Sequence, residues 1–152
     1  MSEQGEPEFL RDALKFGIKP GLERITRLCE LLGNPQNSFR AVHIAGTNGK
    51  GSITAYTSTI LACADLRVGV FTSPFLERFS ERIRVIDGRD GLEALEKNEA
   101  AGEISSDDLA RLSGMTERAA AEMLSEGMEN PTEFELITAI CFLYFAECKV
   151  DL

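Results

Sequence analysis

The chain has 152 residues, 43% of them hydrophobic and 27% charged, a composition that suits one globular domain with its own core. A formal net charge of −9 excludes the basic stripe of a nucleic-acid surface and docking on an anionic membrane, so any polyanion must be held by a local device. Four cysteines without C-x-x-C spacing and one histidine argue against zinc, while a polar start and no membrane-length apolar run predict a cytoplasmic protein with reduced thiols.

Residues 1–8 are polar and acidic and read as a flexible lead into the domain. Phe9, Leu10, Ala13 and Leu14 then recur at helical spacing as far as Gly17. A second helix carries Leu22, Ile25, Leu28 and Leu32 on one face and stops at Gly33-Asn34-Pro35. Residues 39–45 read as the first strand, because the run Ala41-Val42-His43-Ile44-Ala45 suits a strand buried on both faces of a parallel sheet. His43 lies inside that run and is read as a packed residue, not a catalyst.

The strand leads into Gly46-Thr47-Asn48-Gly49-Lys50-Gly51-Ser52, which has the chemistry of a phosphate cradle. Glycines let the backbone take positive φ and bring successive amides close to an anion, and a helix beginning at the loop adds its open amides and dipole. Lys50 supplies a mobile charge, and Ser52 a hydroxyl able to reach a phosphate-bound magnesium ion. The general P-loop pattern would need glycine at Ile44 and Ser or Thr at Gly51, so the match is to a shortened form. The alternative is a glycine-rich turn that merely joins strand to helix, but turn geometry does not call for the lysine.

Ser52 to Asp65 reads as a helix and Arg67 to Thr72 as a second strand, giving a βαβ unit with the loop at the carboxyl end of its first strand. Ser73 to Ser80 leaves the second strand on the same edge. A short strand follows over Glu81 to Ile86, closed by an Asp87-Gly88 turn. Gly91 to Glu103 is charged and reads as a short exposed helix without a site. Ser105-Ser106-Asp107-Asp108 opens a helix that runs, with a break near Gly114, to Glu126. Thr132-x-x-Glu135 fits a capping box. The helix it opens, Phe134 to Glu147, is apolar around most of its circumference, which predicts exposed apolar surface and self-association.

The string GTNGKGS, followed by Phe71-Thr72-Ser73-Pro74-Phe75-Leu76-Glu77-Arg78-Phe79-Ser80-Glu81-Arg82-Ile83, resembles the folylpolyglutamate synthases and bifunctional dihydrofolate synthases of the Mur ligase superfamily. Lys19 to Ile25, Leu32 to Gln36 and Pro131-Thr132-Glu133-Phe134-Glu135 resemble further blocks of that family, so nearly the whole chain is covered apart from the acidic start and Gly91 to Glu103. The resemblance implies an α/β fold, a P-loop-type parallel sheet flanked by helices, truncated. Residues 9–152 would form the N-terminal part of the ATP-binding domain, with Val150-Asp151-Leu152 opening the next strand; the rest of that domain and a glutamate-binding domain would be absent. Residues 1–152 alone are then expected to lack ligase activity.

The implied reaction is ATP-dependent amide formation between L-glutamate and a folate or dihydropteroate, through an acyl phosphate, in a monomeric enzyme. By resemblance Gly46, Thr47, Asn48, Gly49, Lys50, Gly51 and Ser52 bind ATP, and Lys50 stabilises the transferring phosphoryl group. Ser73 and Ser52 would ligate Mg2+, and Phe75, Thr132 and Phe134 would line the pterin site. Without the resemblance, Ser73 reads as a turn residue before Pro74, and Thr132 as a helix cap. Glu81 and Arg82 resemble a family pair that shapes the Ser73 loop. The competing readings are a Mur-type peptidoglycan amino-acid ligase, against which the Phe71 to Ile83 segment argues, and a nucleotide-binding module without catalysis.

Overall fold

The computed structural model describes residues 6–13, 17 and 20–152, in which helices α1 (Glu8–Ala13), α2 (Glu23–Leu31) and α3 (Lys50–Cys63) precede strands β1 (Arg67–Phe71) and β2 (Ile83–Asp87). Helices α4 (Gly88–Lys97), α5 (Ser106–Ser125) and α6 (Glu133–Cys148) follow, and short 3-10 turns cover Pro35–Ser38 and Phe79–Arg82. The predicted flexible start falls largely on residues 1–5, and Leu14 and Lys19 also lie outside the described residues.

Helix α6 is the centre of the main core. Leu136, Ile137, Ile140 and Cys141 are each at most 1% exposed, packed with Leu10 of α1, Leu28 of α2, Leu112 and Met123 of α5 and Ile83 of β2. Burying one such aliphatic side chain stabilises the fold by about 1.5–3 kcal/mol. Most of the apolar surface predicted to lie exposed on this helix is therefore covered, because α1, α2, α5 and the Pro35–Ser38 turn pack around it, and Phe134 in its first turn stays 52% exposed. Further large exposed apolar residues occur on α3, where Ile53, Tyr56 and Ile60 are 52%, 69% and 69% exposed.

Helix α5 starts at its expected cap, the Ser105 Oγ accepting from the Asp108 amide at 3.0 Å. It runs unbroken through Gly114, contrary to the expected interruption. A mid-helix glycine costs about 1 kcal/mol, and the buried Leu112, Ala119, Ala120 and Met123 on the same helix outweigh that.

The sheet departs from the expected parallel βαβ unit. β1 and β2 pair antiparallel, from Arg67 opposite Asp87 to Phe71 opposite Ile83, and this is the one sheet among the described residues. Residues 39–45 pair with no strand; Val42 is 56% exposed, and His43 is exposed rather than packed. The physical reason is that an apolar run becomes a buried strand only where a neighbour offers an open edge. Here β2 takes one edge of β1, and the segment Val150 to Leu152 engages it as well. Asp151 N donates to Arg67 O and Gly69 N to Leu152 O, both at 2.8 Å. Val150 to Leu152 thus runs beside β1 in the same direction, as expected, although as a two-bond contact and not a full strand.

A second small core of Ala62, Val68 and Ile86, with Leu92 and Leu95, fastens α3 and α4 to the sheet. Helix α4 is the expected short, mostly exposed helix, but it begins at Gly88 directly after β2, where a turn was expected, and ends at Lys97. Asp65, at φ 65°, turns the chain sharply between α3 and β1. The end of α3, at Leu61 and Ala62, then packs against Val68 of β1. Among the described residues no helix is long and apolar enough to cross a membrane.

Candidate functional site

The glycine loop and the start of α3 form an open array of donors. Gly49 holds φ 77° and ψ 0°, a left-handed conformation that favours glycine, and it stands as the N-cap of α3. A Cβ there would meet nothing within 4 Å, so the backbone conformation, not crowding, selects glycine. The helix begins at Lys50, earlier than the expected Ser52, and no side chain caps it. Its first backbone bond beyond the cap runs from Ile53 N to Gly49 O at 3.0 Å, which leaves the Lys50, Gly51 and Ser52 amides without an intrahelical acceptor. The Lys50 ammonium folds back over the loop, donating to Gly46 O at 2.7 Å and Thr47 O at 3.3 Å. All of Gly46 to Ser52 is exposed.

The Ser73 to Ser80 loop is held from beneath by Glu81. Its carboxylate accepts from the amides of Leu76, Glu77 and Arg78, the latter two at 3.3 and 3.2 Å. Burial pushes the Glu81 carboxyl upward in pKa, but the donated amides outweigh it and hold the group below the usual carboxylate range. The loop begins with a cis Ser73-Pro74 bond, and Phe75 packs edge-on against the buried Phe79, ring centres 5.9 Å apart.

Glu103 braces the same loop from the side and was invisible in the sequence, where its segment carried no assigned site. It accepts from Arg78 Nη2 at 3.0 Å, Ser80 Oγ at 2.7 Å and Arg84 Nη2 at 3.1 Å. Arg78 lies 25 positions away, so no local spacing could have flagged the pair.

Glu81 and Arg82 do not pair with each other. Arg82 is 5% exposed and turns inward, with Nη1 donating to Glu133 Oε1 at 2.6 Å and Nη2 reaching Ser73 Oγ at 3.5 Å. Its guanidinium also lies 5.4 Å from the centre of the Phe79 ring. Arg82 therefore joins Ser73 to the start of α6. There Thr132 closes the predicted capping box with Glu135, and the neighbouring Phe134, 52% exposed, stacks on Phe71 with ring centres 6.0 Å apart.

The structure thus brings Ser73 and Phe134 to one region through Arg82, Glu133 and Phe71, and turns Phe75 toward Phe79. Thr132 lies beside them with its hydroxyl engaged in the cap. Among the described residues no hydrogen bond or ion pair joins the glycine loop to this group. Ser52 and Ser73 present exposed hydroxyls, and the described residues contain no cluster of three carboxylate, histidine or cysteine groups. Such a donor set does not make a protein cage for a metal. It fits a magnesium ion that keeps its waters and phosphate oxygens and takes one or two protein ligands.

No protein-family model matches the chain. Among known proteins it is 40% identical over 149 residues to the dihydrofolate synthase/folylpolyglutamate synthase of Bacillus subtilis (strain 168), covering 97% of this chain and 31% of that protein. The crystal structure of folylpolyglutamate synthase from Thermotoga maritima superposes with a TM-score of 0.74 at 39% identity, over 93% of this chain and 31% of that one. An FPGS–AMPPCP–folate complex gives a TM-score of 0.73 at 31% identity, over 93% of this chain and 33% of that one. The chain therefore spans about a third of the length of these relatives. Its resemblance to the folylpolyglutamate and dihydrofolate synthases holds over nearly all of its own length, in sequence and in fold.

Proposed function

We infer that this chain is the P-loop portion of an ATP-dependent ligase of the folylpolyglutamate and dihydrofolate synthase family, which joins L-glutamate to a folate or to dihydropteroate. The observation that carries the reading is the exposed glycine loop at the uncapped start of α3, with Lys50 folded over it. The similarity to a relative solved with AMPPCP and folate supports it. In the whole protein residues 39–45 would enter a parallel sheet as the strand before the loop, and residues 9–152 would form the first part of the ATP-binding domain. The reading extends to a monomer acting in the cytoplasm, where thiols such as Cys29 and Cys141 stay reduced.

In the proposed reaction the γ-phosphoryl group passes from ATP to a substrate carboxylate, releasing ADP and forming an acyl phosphate. The amine of L-glutamate then attacks the acyl carbon, phosphate leaves, and an amide forms with loss of a proton from nitrogen. Such chemistry needs positioning and charge stabilisation more than covalent help. The Lys50, Gly51 and Ser52 amides would hold phosphate oxygens, and Lys50 would exchange the Gly46 and Thr47 carbonyls for the transferring group. A magnesium ion held by Ser52 and Ser73 would supply further neutralisation of the phosphate charge. Phe134 offers an exposed ring for the pterin, Thr132 would act mainly by capping the helix that presents it, and Phe75 would shape the loop from below.

The test is ADP release by the protein carrying this sequence, with Mg·ATP and L-glutamate, adding dihydropteroate or a reduced folate in turn. Release dependent on one or both pterins is expected and assigns the activities. No release with either, despite ATP binding, would contradict the reading and favour a Mur-type or non-catalytic one.

A further inference from the structure

We propose that Arg82 is a positioning residue: it fixes the Ser73 hydroxyl for the metal and ties that hydroxyl, through Glu133, to the start of α6. The proposal rests on the metal role assigned to Ser73 above. A guanidinium only 5% exposed is costly to bury unless paired, and pairing it rarely stabilises a fold more than apolar residues of the same volume would. Arg82 leaves its Nε without a partner while Nη1 and Nη2 are directed at Glu133 and Ser73. Packing alone does not account for that division of its donors.

The chemistry of the contact explains what it does. A guanidinium has donors only, so the Ser73 hydroxyl must accept from Arg82. One lone pair of Oγ is then directed at Nη2, and the other, together with the hydroxyl rotor, is restricted toward the open side of the loop. Glu133 performs a second task. At 2.6 Å it offsets the positive charge that would otherwise stand next to a bound cation. Since Glu133 is the first residue of α6 and Phe134 follows it, the position of the metal ligand and that of the exposed aromatic ring are set by one buried pair.

The experiment measures Mn2+ binding in the presence of AMPPCP, through loss of the free-ion EPR signal, for the wild-type protein and for Ser73→Ala, Arg82→Lys and Glu133→Gln. Thermal unfolding of each variant is recorded alongside. Glu133→Gln keeps shape and an acceptor oxygen, so it serves should Arg82→Lys fail to fold. Expected is a Mn2+ dissociation constant raised about tenfold in Arg82→Lys and Glu133→Gln, with no further loss when either is combined with Ser73→Ala. In ADP-release assays the metal half-saturation shifts likewise, and Glu133→Gln recovers turnover at high metal. Wild-type metal affinity in folded Arg82 and Glu133 variants, with loss in Ser73→Ala, would overturn this proposal and leave the metal role of Ser73 intact. Wild-type affinity in Ser73→Ala would overturn that role, and this proposal with it.

Discussion

Thr132 and Glu135 satisfy each other at the start of α6: Glu135 Oε2 accepts the Thr132 amide at 2.7 Å, and Thr132 Oγ1 accepts the Glu135 amide at 3.3 Å. Because α6 is the centre of the main core, the cap stabilises the element on which α1, α2 and α5 pack. Thr132→Ala is expected to lower stability by about 1 kcal/mol, and Thr132→Ser to retain most of it. Urea unfolding midpoints check this. Unchanged stability in Thr132→Ala would remove the cap as the explanation for the residue.

The Glu81 carboxylate gives the Ser73 loop a pH dependence of defined sign. Its folded pKa lies below the unfolded value, so its contribution is complete above the unfolded carboxylate range and is lost as pH falls through the lower folded value. Acidification should therefore loosen residues 73–80. Limited proteolysis across an acid series is expected to show cleavage in the loop increasing at low pH. Glu81→Gln should show raised cleavage already at neutral pH.

Gly102 packs against β2 at φ 74°, and a Cβ there would lie 2.2 Å from the Val85 carbonyl oxygen. Its own carbonyl accepts from Val85 N at 2.9 Å. Gly102→Ala is expected to cost about 1–3 kcal/mol through backbone strain, and to displace the adjacent Glu103 from Arg78, Ser80 and Arg84. The readouts are the unfolding midpoint and protease sensitivity of the Ser73 loop, which should worsen together.

Core and surface positions of similar size should separate cleanly. Ile137, fully buried on α6, should cost about 2–5 kcal/mol when replaced by alanine. Ile60, 69% exposed on α3, should tolerate Ile60→Gln within about 0.5 kcal/mol. Denaturant titrations of the two variants test the placement of α6 at the centre and α3 at the edge.

What the sequence made legible is what neighbours in the chain determine. The caps at Ser105 and Thr132 each close over a span of three positions, and Ile25 and Leu28 of the expected apolar face lie within α2, although Leu22 and Leu32 fall at its caps and Leu22 is 74% exposed. The glycine loop was legible because its residue types are unusual for a turn. Residues 39–45 pair with no strand in this chain, because pairing depends on an open edge far away in sequence, which composition alone cannot supply. Glu103 was missed for the same reason, its partner Arg78 lying 25 positions away; Arg82 was placed at the Ser73 loop by resemblance alone, and its partner Glu133, 51 positions away, was not legible. Phe75 and Phe134 came forward only through the family resemblance, and their ring contacts separate a packed residue from an exposed one.

The most direct measurement is calorimetric binding of Mg·ATP to the wild-type protein and to Lys50→Ala. The account predicts measurable binding that weakens at least about tenfold when the one mobile cation of the glycine loop is removed, with the unfolding midpoint unchanged because Lys50 is exposed. Equal affinity in the two proteins would contradict the assignment of Gly46 to Ser52 as the phosphate cradle.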